Sequence, residues 1–105
     1  MECNKCGAPA YGTASGLFFI MHDLEHDKET SAEDLDLLEK NLRDLSYCGL
    51  DTTRILERFR ALKGSLEDRA RATSTSEKHR AHMNALLDHD RLEKEIGDAL
   101  YKCWK

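Results

Sequence analysis

Apolar residues recur every three or four positions along most of this chain, with charged residues filling the intervals. Leu35, Leu38, Leu42 and Leu45 form the clearest set, because steps of three and four draw one stripe down a helix. Thr30-x-x-Glu33 and Ser31-x-x-Asp34 each offer a cap at its start. Cys48-Gly49 offers its end, since glycine readily takes the left-handed conformation that follows a last helical turn. Leu17, Ile20, Met21 and Leu24 predict an earlier helix over about 15–28. The run 17–21 is apolar throughout and also reads as a short strand. Ile55, Leu56, Phe59, Leu62 and Leu66 predict a third helix opening at Asp51, with Leu50 and Ile55 as a hydrophobic staple and Gly64-Ser65 as a candidate kink. Ser74-x-x-Glu77 caps a last helix that continues to Cys103.

Connectors at 29–31, 49–51 and 73–76 are short, so successive helices must run antiparallel. The predicted fold is all-α: a small up-and-down bundle of about four helices with an N-terminal C-x-x-C turn and a cysteine cluster at one pole. Gly7, Gly12, Gly16 and the single proline, Pro9, fall early. Residues 1–14 therefore read as a zinc-knuckle-like lead-in and 15–105 as the bundle, together one domain. The expected core comprises Leu17, Met21, Leu24, Leu35, Leu38, Leu42, Leu45, Ile55, Phe59, Leu62, Leu86, Ile96 and Leu100.

Helix direction gives the cysteines their meaning. Helix one starts at the pole to which helix two returns at Cys48; helix three leaves it, and helix four comes back at Cys103. The turn Cys3-Asn4-Lys5-Cys6-Gly7 lies there too, and two thiolates three residues apart are half of a tetrahedral metal site. Cys3, Cys6, Cys48 and Cys103 thus form a candidate closed zinc site, structural because four protein ligands leave no place for substrate. The longer later helices would overshoot by on the order of 10 Å. The simpler alternative makes Cys48 and Cys103 small buried apolar groups and the turn a frayed tail. A redox C-x-x-C would open a helix after a strand in a βαβ unit, which the pattern lacks.

Histidines supply weaker candidates. His22-Asp23-Leu24-Glu25-His26 matches H-x-x-E-H, yet such a site also needs a third ligand and a cleft, so it reads as a solvated helix face. His82, Leu86, His89, Glu93, Ile96, Leu100 and Cys103 trace another stripe. A small rotation that buries Met83, Leu87 and Leu92 and leaves the polar residues at the edge is the simpler expectation. No constellation of catalytic groups emerges, and the chain is expected not to be an enzyme.

Charge separates the two halves. Residues 23–44 carry nine acids against Lys28, Lys40 and Arg43, a net −6, whereas 54–82 carry eight bases against four acids, a net +4. Complementary solvated helices explain part of this; the rest suits a protein partner docking on the acidic segment 23–44. Small acidic helical proteins of phages and mobile elements act this way as inhibitors, an analogy that suggests a small regulator. The alternative is a nucleic-acid-binding regulator using the basic region 54–80, with Arg54, Arg58, Lys63, Arg69 and Arg71, although aromatics for base stacking are few. Phe18, Phe19 and Ile20 cannot all face one core, which points toward a homodimer. Neither a signal-like start nor an apolar run of about 20 residues occurs, so a cytoplasmic location without a membrane partner is expected.

Overall fold

The computed structural model describes residues 7–104, apart from the side chains of Ala8 and residues 102–104. Four helices follow in order: α1 (Gly7–Glu25), α2 (Ala32–Asp44), α3 (Thr53–Arg71) and α4 (Thr75–Trp104). A 3₁₀ turn, Leu45–Cys48, continues α2, and no strand occurs among the described residues. The all-helical bundle expected from the periodicity is present. The C-x-x-C turn lies outside the described residues.

Local signals account for most helix ends. Of the two possible caps on α2, the Ser31 one forms: its Oγ accepts from the Asp34 N–H at 3.1 Å. Gly49 closes the 3₁₀ turn with φ 87°, where any other L-residue would be strained. Asp51 precedes α3, and its carboxylate accepts from the Thr53 N–H at 3.0 Å. That bond holds the Asp51 carboxyl below its ordinary value. Ser74 Oγ accepts from the Glu77 N–H at 3.1 Å, while Glu77 Oε2 reaches back toward the N–H and hydroxyl of Thr73. Gly64-Ser65 does not break α3, and the Ser65 hydroxyl donates to Asp88 of α4 at 2.6 Å.

α1 begins eight residues earlier than its sequence predicts, inside the supposed lead-in. Pro9 falls in its first turn, where a missing N–H costs no helical bond. Gly12 and Gly16 are the seam on which α2 rests. A Cβ at Gly12 would come within 2.6 Å of the Asn41 side chain, and one at Gly16 within 3.1 Å of Leu38. Close packing between helices has overridden the poor helix propensity of glycine. The same helix rules out a strand at 17–21.

α1–α2 and α3–α4 are antiparallel hairpins packed on one another, with the most extensive contact between α3 and α4. The particle is elongated, 50 × 21 × 19 Å. Its core takes Leu17, Ile20 and Leu24 from α1, the four predicted leucines of α2 and its 3₁₀ turn, Ile55, Phe59, Leu62 and Leu66 from α3, and Ala81, Ala85, Leu92 and Ile96 from α4. Each such large side chain contributes about 1.5–3 kcal/mol by leaving water. Met21, Leu86 and Leu100, expected inside, are only partly buried. α4 is rotated away from both arrangements its sequence suggests: Met83 and Leu87 are about half exposed, while His89 is buried. Ala81 and Ala85 are both buried, so the inward face of α4 carries small side chains over its first half.

The glycine seam is testable by a double-mutant cycle. Gly12→Ala gains helix propensity of about 1 kcal/mol but displaces Asn41, whose amide donates to Leu37 O at 3.0 Å. Chemical denaturation should show Gly12→Ala stabilising an Asn41→Ala background by about 1 kcal/mol and the wild-type background by clearly less, because there Asn41 must first swing aside and give up its bond to Leu37 O. Equal effects in both backgrounds would contradict the seam.

Candidate functional site

Beside the start of α2, the walls of α2 and α3 leave a cleft of about 200 Å³. Leu35, Leu66, Ala32 and Ala70 give it an apolar lining, and Glu29, Asp36, Lys63 and Glu67 stand around them. Acidic residues of α2 divide sharply at this point. Its C-terminal half neutralises itself through i,i+4 pairs, Glu39 with Arg43 at 2.6 Å and Asp44 with Lys40 at 3.0 Å. Among the described residues Glu29, Glu33, Asp34 and Asp36 make no ion pair. Four unpaired acids of the segment 23–44 therefore lie at or just before the N-terminal half of α2, and two of them, Glu29 and Asp36, line the cleft together with Lys63 and Arg69.

Behind the cleft lies Arg69, whose side chain is only 4% exposed. Its guanidinium donates in three directions: Nε to His82 Nδ1 at 3.2 Å, Nη1 to Lys28 O at 3.2 Å, and Nη2 to the Asp27 carboxylate. An Arg N–H can only donate, so His82 accepts at Nδ1 and carries its proton on Nε2. Asp27 also receives Lys78 at 3.2 Å. The backbone prepares this contact. Lys28 N–H donates to Asp23 O at 2.7 Å and Asp27 N–H to Leu24 O at 3.3 Å, the double closure of a Schellman end, with Asp27 at φ 55° where glycine is usual. Aspartate is among the few residues that tolerate this conformation, and here its carboxylate meets two cations. Lys78 above all, then Arg69, hold the Asp27 carboxyl below its ordinary value.

The sequence-predicted sites fare unevenly. Cys3 and Cys6 lie outside the described residues, as does the Cys103 side chain, although α4 runs through that position. Cys48 is 3% exposed at the end of the 3₁₀ turn, and it is disulfide-bonded. The His22 and His26 rings stack with centroids 4.2 Å apart on an exposed face. Among the described residues no group of three or more His, Cys, Asp or Glu side chains is placed to hold a metal. His89 is a core contact and not an edge residue: its Nε2 donates to Leu17 O at 2.9 Å, tying α4 to α1. Glu93 is exposed.

Of the five basic residues singled out for nucleic acid, Arg69 is buried, Arg54 pairs with Glu95 at 2.9 Å, and Arg71 lies 3.7 Å from both Glu67 and Asp68. Only Arg58 and Lys63 make no ion pair among the described residues. The role of Arg69 was hidden because Asp27, its partner, is 42 positions away. No described helix is long and apolar enough to cross a membrane. Comparison with known proteins finds no matching family, curated relative or solved structure.

Two substitutions test the arginine cluster. Arg69→Ala should lower the unfolding free energy by about 2–4 kcal/mol in urea titration, since it leaves His82 and Lys28 O without their donor inside the protein. Asp27→Asn keeps a side chain that tolerates positive φ but removes the charge. Because the folded carboxyl is depressed below 3.8, its stabilisation is complete above that value and disappears as pH falls through the folded pKa. Asp27→Asn should thus be less stable than wild type near neutrality, and the two should converge in acid below about pH 4.

Proposed function

We propose that the chain is a non-enzymatic interaction protein, a small regulator or inhibitor, that receives a basic, amphipathic segment of another protein at the α2–α3 cleft. The observation that carries this reading is the coincidence of unpaired carboxylates with an apolar cleft. Glu39 and Asp44, on the C-terminal half of α2, are already neutralised by neighbouring bases, whereas Glu29 and Asp36 at the cleft make no ion pair among the described residues. Apolar side chains of a docked segment fill the space between Leu35 and Leu66, and its lysines or arginines meet Glu29, Glu33 and Asp36.

A triple variant, Glu29→Gln with Glu33→Gln and Asp36→Asn, tests it. Titration of a basic amphipathic helical peptide into labelled protein should shift the amide resonances of Leu35 and Leu66, and the variant should bind about tenfold or more weakly at low salt. Equal affinity for the variant, or shifts confined to other surfaces, would refute the reading.

In the reduced chain we infer a structural zinc ion held by Cys3, Cys6, Cys48 and Cys103. Spacing and helix direction support it: Cys3 and Cys6 stand three residues apart, α2 and its turn end at Cys48 just before α3, and α4 returns toward that pole, so the set requires the N-terminal pair to span the roughly 12 Å by which α4 runs from Glu95, opposite Arg54, to Cys103. A disulfide sulfur is not a thiolate ligand, so the disulfide at Cys48 and zinc belong to different redox states. Native mass spectrometry of protein purified under reductant should find one zinc per chain. Cys103→Ser should weaken its retention and lower the melting temperature, because metal binding is coupled to folding. Fully reduced protein without zinc would overturn the assignment.

A further inference from the structure

The outer face of α1 has no role in the cleft or the core. No charged residue occurs from Gly7 to Met21, although one whole side of that stretch faces solvent. Tyr11, Phe18 and Phe19 are 79, 66 and 55% exposed, and the two phenylalanine rings pack edge to face 6.0 Å apart. Leu37 is 60% exposed on α2. Since Gly12 lies against Asn41 and Gly16 against Leu38, Leu37 borders α1 near Phe19. A helix apolar all round belongs between two packing surfaces, and the bundle supplies one.

We propose that the second surface is the same face of another copy of this chain, and that α1 pairs antiparallel with α1 across a two-fold axis between Ala14 and Ser15. The spacing of the stripe is self-complementary under that operation. Tyr11 falls opposite the second copy's Phe18, Ala14 opposite Ser15, and Gly7 opposite His22. Large residues meet large ones one turn to either side of the axis, and small residues at the axis let the helices approach closely. With roughly 100–200 Å² offered by each aromatic ring, and Leu37 beside them, the face comes to roughly 500–600 Å² per copy. With all of it buried, a symmetric pair covers at most about 1,000–1,200 Å², which just reaches the threshold of about 1,000 Å² for a biological interface and fits a weak, reversible dimer.

Chemistry favours a second copy over other occupants. The stripe has no charge with which to select a charged partner, and the neighbouring acidic helix α2 disfavours an anionic lipid surface. This interface is separate from the α2–α3 cleft, so either assignment can fail without the other.

Sedimentation equilibrium of the full chain under reductant, from micromolar to submillimolar concentration, tests the proposal. Wild type should be a reversible dimer. Tyr11→Lys and Phe18→Glu should each weaken it by about thirtyfold or more, as expected for removing an aromatic anchor, with unchanged circular dichroism and unchanged peptide binding at the cleft. Mixing the two variants should restore a heterodimer, because antiparallel pairing places the introduced opposite charges together at one contact and leaves the aromatic pair intact at the other. Tyr11→Ser and Phe18→Ser repeat the loss without introducing charge. A wild-type monomer at every concentration, a dimer indifferent to Phe18→Glu and Phe18→Ser, or a mixture that stays monomeric would each overturn the proposal.

Discussion

Arg69 is the contact on which the relative placement of the two hairpins depends. Each hairpin is held by its own short connector, and leucine packing between them is strong but only loosely directional. A guanidinium is different, because its donors leave in fixed directions within one plane. Arg69 comes from the end of α3 and bonds to the α4 imidazole of His82, to Lys28 O and to the Asp27 carboxylate. Sliding or rotating one hairpin on the other would strand a buried cation, which costs several kcal/mol. The left-handed backbone at Asp27 fits this account: glycine would suit the turn better, but would surrender the carboxylate.

The two poles of the bundle are built differently. At the Arg69 pole, connectors are short and polar side chains hold the turn between α1 and α2 against α3 and α4. At the other, α4 runs on past the start of α3, and α1 and α2 contribute one end each. A projecting helix lacks neighbours on part of its circumference, so apolar contacts alone hold it less firmly than the middle of the bundle. The disulfide at Cys48, or the zinc proposed for the reduced chain, would restrain this pole without requiring a large packed surface.

What could be read from sequence followed the range of the interaction. α2 and α3 were legible because a leucine stripe and a serine cap act within a few residues. α1 was misread at its start because Gly12 and Gly16 look like helix breakers until Asn41 and Leu38 are known to lie against them. α4 was placed correctly but rotated wrongly. Ala81 and Ala85 carry little hydrophobic signal yet are buried, and His89 finds its carbonyl 72 positions away. The acidic segment was visible as composition; only the side-chain pairs on α2 distinguish its self-neutralised half from its uncompensated one.

That distinction bears on how a protein of this size can present more than one surface. The cleft involves α2 and α3 near the Arg69 pole, whereas the uncharged stripe runs along the outer side of α1. The surfaces differ in chemistry as well as place, one charged at its rim and the other without formal charge. Salt would weaken contacts at the cleft and leave apolar pairing on α1 largely untouched. They are nevertheless linked mechanically through α2, which lines the cleft and, on a neighbouring face, supports α1 at Gly12 and Gly16. A partner that shifted α2 would disturb the glycine seam and with it the α1 face. Any coupling between the two surfaces would therefore run through Asn41 and Leu38, the α2 side chains that lie against Gly12 and Gly16.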